Sequence, residues 1–530
     1  MATRQLLHLL VARERPAVEL RPEAARGPAG PSIHYVRMIA FVVGSASLGA
    51  EISAARLLAP YFGASTTIWA NTIATVLVAL SVGYALGGRL ADRHADIRGL
   101  CAIVTIAGLL VAAVPFAADP FLRLSVHALG ALSLGGFLGS LVAVLVLVAV
   151  PVLLLGTVAP YANRLALGRV AETGTVTGRL YAVSTVGSMV GTFASALLLI
   201  PLIGTHRTFL VFAILLTAVA APGLGARRFL AIPLAVAALL VIPPAAIGAD
   251  VPGAKVIFET ETQYQYARVL QFRDGVRWLE LNEGVAIHSI YNPRSYLVGG
   301  YWDDFLVLPP AGERGIPQRI AILGDAAGTV ARAYGHYFPR TRVDAVELDG
   351  ELTTIGKRYF HLNGPRLHLS TADARPWLAA SRSHYDAIFL DAYRQPYIPF
   401  YLLTREFFAS ARKHLTLNGV VVVNVGHLPG SNALERVVSA TLHAVFPAVM
   451  RDGVTATNSL VIGSAKPLSG ARITAAASEG KLPPGLVPLA GKVAARLGPA
   501  LRGGPVYTDD RAPVEWLTDL SILHYAAGTR

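Results

Sequence analysis

The feature that most constrains this chain is a long apolar region without a single lysine. Between Ile33 and Ala249, hydrophobic stretches follow one another, each near the roughly 20 residues that a helix needs to cross a bilayer core. Lysine first appears at Lys255, where other charged residues also return. Of the 530 residues, 53% are hydrophobic and 15% are charged, which is too apolar for a large soluble protein. The two halves therefore need separate interpretations.

The apolar half predicts an α-helical membrane domain over residues 33–249. Its seven predicted spans are residues 36–58, 66–88, 99–118, 136–160, 180–203, 207–224 and 229–247. Arginines cluster in the N-terminal tail, residues 1–32, and after the second, fourth and sixth spans, which predicts a cytoplasmic tail. These arginines account for much of the net charge of +13, so the charge does not indicate nucleic-acid binding.

Glu51 is an ionisable residue inside the first apolar stretch. A carboxylate at this depth is costly unless it is paired or faces a polar cavity. Two interpretations remain open. Glu51 either belongs to a transport or proton-relay site, or it is paired within the bundle with Arg56 or Asn71.

The soluble half contains four strand-like segments, each followed by polar or small residues that suit a ligand site. These residues are Gly324, Asp325 and Gly328 after the first segment, Glu347 after the second, Asp373 and Ala374 after the third, and Asp391 after the fourth. Parallel strands deliver such residues to one edge of a doubly wound sheet, where these folds bind ligands. Capping of the following helices would explain one or two of the acids, but four acids favour a binding site.

The soluble half is divided into three predicted parts. A small β subdomain covers residues 252–312, an α/β Rossmann-like domain covers 313–465, and a C-terminal segment with the sequence TDDRAPVE covers 466–530. The lone cysteine lies in an apolar stretch, and His336, His361 and His384 lack metal-ligand spacing, so we expect no disulfide and no metal site.

The combined motifs resemble the polyamine aminopropyltransferases, the spermidine synthase family, over about residues 255–450. Upstream of the sheet, Tyr264-Gln265 and residues 278–284 look like the small β-hairpin domain of that family, and Tyr301-Trp302-Asp303 stands where the family has a Tyr-His-Glu or Tyr-Gln-Glu element. The segment 83–93 is similar to the Gly-x-x-x-Asp-Arg loop of major facilitator transporters, and residues 507–515 resemble a closing element. The chain thus resembles bacterial membrane proteins in which a transporter-like half is fused to a spermidine-synthase-like half.

The resemblance implies a fold of the class I S-adenosylmethionine-dependent transferase type and a set of site residues. Decarboxylated S-adenosylmethionine, or S-adenosylmethionine, would bind without a metal, and a small amine would accept the transferred group. The implied donor-binding residues are Gln265, Gly324, Asp325, Gly328, Glu347, Asp373 and Ala374. Tyr301 and Asp303 would orient the amine, and Asp391 would accept its proton.

The expected function is that of a membrane-bound polyamine aminopropyltransferase, with departures from the family pattern. Ala326 and Ala327 stand in place of glycines, and Trp302 stands in place of a polar residue. Arg394 occupies the position of the second acid in the Asp-x-x-Asp element. An arginine there could pair with the carboxylate of intact S-adenosylmethionine, so a methyltransferase is one alternative. A transporter or sensor that binds a nucleoside or a polyamine without turnover is another. The expected partners are the lipid bilayer, the amine and a second copy of the chain, but not nucleic acid.

Charge counting and cofactor supply predict opposite sides of the membrane for the soluble half. Seven spans from a cytoplasmic tail would place it outside, whereas its expected donor is a cytoplasmic compound. We give the chemistry more weight and expect a multi-pass protein of the cell (inner) membrane with a cytoplasmic soluble half. This expectation requires a miscounted span, either in residues 121–160 or in the last segment, which Pro233, Pro243 and Pro244 interrupt.

Overall fold

The computed structural model of the chain describes nine ranges that together include most of both halves. They are residues 32–62, 66–93, 95–131, 135–166, 173–242, 251–282, 286–311, 315–394 and 396–526. The predicted tail up to residue 31 lies outside these ranges. So do Glu283 and Gly284 at the end of the predicted hairpin segment.

The apolar half is almost entirely helical in its described residues. Its helices are α1 Ile33–Phe62, α2 Thr66–Arg93, α3 Ile97–Ala131, α4 Gly135–Val144, α5 Val150–Ala166, α6 Thr173–Ala194, α7 Ile200–Ala220 and α8 Ala231–Ala238. Short π-helical turns join α4 to α5 and α6 to α7, and 3₁₀ turns flank α8. The helices follow the predicted spans because each apolar run satisfies its backbone hydrogen bonds internally.

Among the described residues, five helical segments are long and apolar enough to cross a membrane. They are Ile33–Ala59, Ile68–Arg93, Ile97–Ala118, Gly139–Ala166 and Gly174–Leu224. The last segment has 51 residues and includes a kink at Gly204, where φ is 81°, so it corresponds to two of the predicted spans. The seventh predicted span is represented by the shorter α8, which packs against α7.

Small residues let α1 and α6 run side by side in parallel. A Cβ atom on Gly187 would lie 2.2 Å from the Phe41 carbonyl oxygen, and one on Gly191 would lie 2.0 Å from that of Ser45. Glycine at these positions permits the close approach of two helix backbones that is common in membrane bundles.

The two ends of the bundle differ in charge. At one end, Tyr35 Oη donates to the Val219 carbonyl oxygen at 2.8 Å, and Arg164 lies 3.9 Å from the Asp92 carboxylate. The helix ends and turns on this side include Arg37, Arg89, Arg93, Arg98, Arg164, Arg179, Arg227 and Arg228. By the positive-inside rule, this arginine-rich end has the composition of a cytoplasmic face.

The soluble half docks on the opposite end of the bundle. Glu261 accepts hydrogen bonds from Thr205, at the end of α7 that is distant from the arginines, and Arg56 near the end of α1 donates to the Thr262 carbonyl oxygen. The expected extra crossing within residues 121–160 is absent from the described residues, because α3 continues to Ala131 and α4 with α5 forms one path across the bundle. This arrangement disagrees with the expected cytoplasmic placement if the arginine-rich end faces the cytoplasm.

The soluble half contains two sheets. Its strands are β1 Ala254–Glu261, β2 Tyr266–Phe272, β3 Arg277–Leu281, β4 Ile287–Tyr291, β5 Arg319–Leu323, β6 Arg342–Glu347, β7 Leu367–Thr371, β8 Tyr385–Leu390, β9 Leu415–Gly426, β10 Ala448–Gly453, β11 Asn458–Ser464 and β12 Leu497–Pro499. Strands β1 to β4 form an antiparallel sheet, and they lie within residues 252–312. The helices are α9 Tyr301–Asp304, α10 Thr329–Tyr337, α11 Gly350–Tyr359, α12 Ala374–Ala380, α13 Arg405–Lys413, α14 Ala433–His443, α15 Gly470–Ser478, α16 Val487–Arg496 and α17 Val514–Ala526.

The larger sheet is mixed and of the Rossmann type. Its strand order is β12-β10-β11-β9-β8-β5-β6-β7, with parallel pairs from β9 to β7 and antiparallel pairs around β11 and β10. The predicted domain boundary at residue 465 is too early, because β12 belongs to the same sheet. The chain leaves β5 for β6 on one side and returns to β8 on the other, which opens a crevice at their carboxyl ends.

Candidate active site

Two cavities adjoin at the carboxyl ends of β5 and β8. The first has a volume of about 280 Å³ and the second about 700 Å³. Their shared wall includes His288, Gly324, Ala326, Asp391 and Tyr393. A crevice divided in this way suits two small molecules that meet at a common point.

The register of the sheet explains why distant residues converge here. Leu323 pairs with Leu390, and Leu390 pairs with Val423, so the residues that follow all leave the sheet at one level. Gly324 makes the first turn, with φ of 89°, and a Cβ atom there would lie 2.6 Å from the Asp391 carbonyl oxygen. Glycine is needed at this position by both its backbone angle and the space available.

Glu347 and Asp349 form the acidic wall of the first cavity. Glu347 Oε2 accepts from the Ala326 N–H at 2.8 Å, which holds the glycine turn against β6. Burial raises the Glu347 pKa, while backbone hydrogen bonds, including one from Asp349, lower it. The Asp349 carboxylate accepts from Thr262 Oγ1 at 2.6 Å and lies 3.5 Å from Gln265 Nε2, which places the predicted Gln265 in the same wall.

Asp373 and Ala374 line the first cavity, beside Tyr401. Asp373 accepts from the Arg375 N–H at 2.9 Å as a helix cap and from Tyr401 Oη at 2.6 Å. Helix capping therefore accounts for Asp373, and also for Asp349, which accepts from the Glu351 N–H. It does not account for Glu347 and Asp391, whose described partners include the Ala326 N–H of the turn and Asn424 of the neighbouring strand, respectively.

Asp391 lies between the two cavities and is held by three side chains. Its Oδ1 accepts from Asn424 Nδ2 at 2.8 Å and from Tyr301 Oη at 3.2 Å, and Trp302 provides a further hydrogen bond. Burial raises the pKa of Asp391 to about 7, and these hydrogen bonds offset part of that effect. A carboxyl group that titrates near neutral pH can accept a proton from a reacting group and release it again.

Tyr301 is brought to the site, but three predicted residues need correction. Asp303 accepts from the backbone N–H groups of Val298 and Gly299, and it lines neither cavity. Gly328 also lines neither cavity, since a Cβ there would meet Leu362 at 2.2 Å and its role is in packing at the start of α10. Asp325 lines the second cavity and not the first, and burial together with Glu347 raises its pKa.

Three functional candidates were missed by the sequence prediction. Asn424 interrupts the apolar run of β9 at the level of Asp391, a polar residue in a buried strand that could have been noticed. His288 lines both cavities, its Nε2 is buried without a hydrogen-bond partner, and burial lowers its pKa to about 4. Glu515 in the TDDRAPVE segment lines the first cavity, so this segment forms a wall as well as packing through Tyr507.

Arg394 lines the first cavity and not the second. Its backbone N–H donates to the Tyr397 carbonyl oxygen at 2.7 Å, and the Tyr397 N–H donates back at 3.0 Å. Arg394, which replaces the second acid of the family pattern, therefore lies in the cavity that would hold a donor. It does not line the cavity that would hold an amine.

No protein-family model matches the chain. It is 33% identical over 190 residues to "Probable polyamine aminopropyl transferase" of Bifidobacterium longum, covering 36% of this chain and 42% of that protein. It is 35% identical over 136 residues to "Polyamine aminopropyltransferase" of Vibrio vulnificus, covering 24% of this chain and 44% of that one. The chain thus spans less than half the length of these curated relatives.

Solved structures with similar folds include two spermidine synthases. The "probable spermidine synthase" of Corynebacterium glutamicum has a TM-score of 0.35 and 20% identity, over 53% of this chain and 96% of that chain. The spermidine synthase of Thermotoga maritima has a TM-score of 0.35 and 15% identity, over 52% and 88% of the two chains. The sequence matches are to enzymes named as transferases, and over these segments the chain is homologous to the polyamine aminopropyltransferases.

Proposed function

We propose that this chain transfers an aminopropyl group from decarboxylated S-adenosylmethionine to an amine. The observation that carries the proposal is the position of Asp391, a buried carboxyl group with a pKa of about 7 at the junction of two cavities. The segmental homology to polyamine aminopropyltransferases supports the same reaction.

The first cavity has the groups that a nucleoside donor requires. Glu347, Asp349 and Gln265 offer oxygen and amide groups suited to ribose hydroxyls, and Asp373 with Ala374 would meet the adenine edge. Carboxylates that accept hydrogen bonds from paired hydroxyls are the usual means of ribose recognition in this type of crevice. The donor, when bound, supplies an electrophilic carbon beside a sulfonium.

The residues of the second cavity would hold the amine and remove its proton. A primary amine is mostly protonated at neutral pH, so it needs a base before its nitrogen lone pair can attack. Asp391 first accepts one proton from the ammonium, which frees the nitrogen lone pair. As the lone pair forms the new C–N bond, the C–S bond breaks with its electron pair staying on sulfur, and the product nitrogen is left as a secondary ammonium. Tyr301 and Asn424 orient the Asp391 carboxylate through their hydrogen bonds.

Arg394 supports a second candidate function. Because it lines the donor cavity, it could pair with the carboxylate that intact S-adenosylmethionine has and the decarboxylated compound lacks. Such a pair would favour methyl transfer to an acceptor in the second cavity.

The by-product of the reaction separates these functions. The full-length chain in detergent would be supplied with each donor and a panel of amines. We expect 5′-methylthioadenosine to accumulate with the decarboxylated donor in an amine-dependent way. Accumulation of S-adenosylhomocysteine with the intact donor, and no amine-dependent product with the other, would replace the proposal by methyl transfer.

We also propose that the helical half is embedded in a cell membrane with its arginine-rich end in the cytoplasm. The soluble half would then face away from the cytoplasm, opposite to our sequence-based expectation, and a donor made in the cytoplasm would have to cross the membrane to reach it. An alkaline phosphatase fusion after Arg530 is expected to be active outside the cytoplasm. A fluorescent-protein fusion at the same place that folds in the cytoplasm would contradict this orientation.

A further inference from the structure

The membrane half contacts Glu261 at the end of β1, beside the turn that forms part of the wall of the first cavity. Its Oε2 accepts from the Thr205 backbone N–H at 2.8 Å, and its Oε1 accepts from Thr205 Oγ1 at 2.6 Å. Arg56 of α1 approaches the same carboxylate, with Nε 4.0 Å from Oε1. One side chain of the soluble half is therefore held by two helices of the bundle.

Gly204 provides the space for this contact. Its φ of 81° breaks α7, so Thr205 begins a new helical run with an N–H group that has no partner inside the helix. A Cβ atom on Gly204 would lie 2.9 Å from Glu261 Oε2. Glu261 therefore fills the role of a helix cap from another domain, with its negative charge at the positive end of the helix dipole.

Arg56 also contacts Thr262, the residue that follows Glu261. Its guanidinium donates to the Thr262 carbonyl oxygen, and 14% of its side chain is exposed. A cation with so little access to water depends on its partners, so its contacts with the soluble half are expected to be persistent.

Thr262 connects this contact to the donor cavity. Its hydroxyl donates to Asp349 Oδ2 at 2.6 Å and accepts from the backbone N–H groups of Tyr264 and Gln265, each at 3.0 Å. Tyr264, Gln265 and Asp349 all line the first cavity. The turn 262–265 is thus fixed on one side by the membrane bundle and forms the donor wall on the other.

The C-terminal helix shows a second link of the same kind. Helix α17 packs against α2 and α4 of the bundle. Its residues Glu515 and Thr518 line the first and second cavities, respectively. The parts of the site that lie outside the Rossmann sheet therefore rest on the membrane half at two places.

We propose that Arg56 and Thr205, residues of the membrane half, are positioning residues for the donor site. They hold Glu261 and Thr262 so that Gln265 and Asp349 face the donor. The helical half is then part of the binding site and more than an anchor. The identity of the donor rests on the proposed function, but the coupling itself concerns any nucleoside bound in the first cavity.

The test uses the full-length chain in detergent and 5′-methylthioadenosine as the nucleoside probe. Calorimetry would compare the wild type with Arg56→Ala and Thr205→Val. We expect binding to weaken about 10-fold or more for Arg56→Ala, as for the loss of a charged hydrogen bond. For Thr205→Val we expect about 3- to 10-fold, because the backbone N–H of residue 205 still donates to Glu261. Arg56→Lys should recover part of the affinity, because it restores the charge without the guanidinium geometry.

Arg207→Ala is the matched control. Arg207 is an exposed arginine two residues from Thr205 in the same helix, and its removal should leave the affinity unchanged. In turnover, Arg56→Ala and Thr205→Val should raise the donor KM and leave the amine KM and the rate at saturating donor near wild type. A merely structural role would instead lower Tm and alter both substrates together.

The outcomes distinguish this inference from the proposed function. Unchanged probe affinity in both Arg56→Ala and Thr205→Val, with the wild type binding normally, would overturn the coupling. An equal loss in Arg207→Ala would overturn it too. A wild type that binds no nucleoside would instead refute the proposed function.

Discussion

The two halves of the molecule use polar residues in opposite ways. In the helical half, polar side chains are mostly satisfied locally, as when Thr72 and Thr105 donate to carbonyl oxygens four residues earlier. In the soluble half, polar residues from separate strands meet at one edge, as Glu347 and Asp391 do. The difference follows from geometry, because helices satisfy their own backbone whereas parallel strands align their ends. Candidate site residues can therefore be predicted from the sequence at strand ends much better than within helices.

Glu51 is the exception in the helical half. Of the two partners predicted for it, Asn71 donates to Ser140 Oγ at 3.0 Å, and Arg56 contacts the soluble half. Neither of these described contacts involves Glu51, and the pairing interpretation stays a prediction. A transport or proton-relay role for Glu51 stays a prediction.

The largest effect is expected from Asp391→Asn. This change keeps the size of the side chain but removes its ability to accept a proton, so the rate of product formation should fall by about 10² or more. Donor binding should change little. Burial disfavours the charged carboxylate, so the Tm of the variant should not be lower than that of the wild type. At alkaline pH, where Asp391 of the wild type is ionised, the variant should have the higher Tm. A loss of activity accompanied by a loss of Tm would show that Asp391 is a structural residue.

A smaller effect is expected from Glu347→Ala. The change removes a carboxylate from the donor wall, and the Ala326 N–H loses its hydrogen-bond acceptor. Donor binding should therefore weaken by about 1.5–3 kcal/mol. Calorimetry with either donor would measure it, with circular dichroism as the control for folding. An unaltered affinity would remove Glu347 from the site.

The pH dependence should identify the base through a change in kcat/KM of about 10-fold between pH 6 and 8. The Asp391 pKa is raised to about 7, so the carboxyl is protonated below that pH and cannot act as a base. We expect kcat/KM to rise as the pH increases through about 7. In Asp391→Asn the residual activity should lack this step, and a wild-type profile that is flat between pH 6 and 8, about one unit either side of the raised pKa, would contradict the assignment.

No effect on transfer is expected from Glu51→Gln. Glu51 lies on α1 more than one turn before Arg56 and lines neither cavity of the soluble half. If it serves transport, solute or proton movement in vesicles should be lost while product formation continues. A parallel loss of product formation would show that the two halves are coupled at Glu51 as well.

Much of the fold could be predicted because the signals were local. Apolar runs gave the helices, and strands ending at Gly324 and Asp391 gave the crevice. Asp303 was misplaced because a Tyr-x-Asp pattern does not reveal that backbone N–H groups occupy its carboxylate. The contact of Thr205 with Glu261 could not be predicted, since it joins residues 56 apart across two domains without a pattern in either.

The central claim is that the aminopropyl group passes from the donor to an amine at Asp391. The most direct measurement uses decarboxylated S-adenosylmethionine labelled in its aminopropyl carbons, with full-length wild type and Asp391→Asn compared by mass spectrometry. We expect the wild type to attach the labelled aminopropyl group to the amine nitrogen, and we expect about 10²-fold less labelled product from the variant. Label that stays with the nucleoside while a methyl group appears on the acceptor, or equal labelling by both proteins, would contradict it.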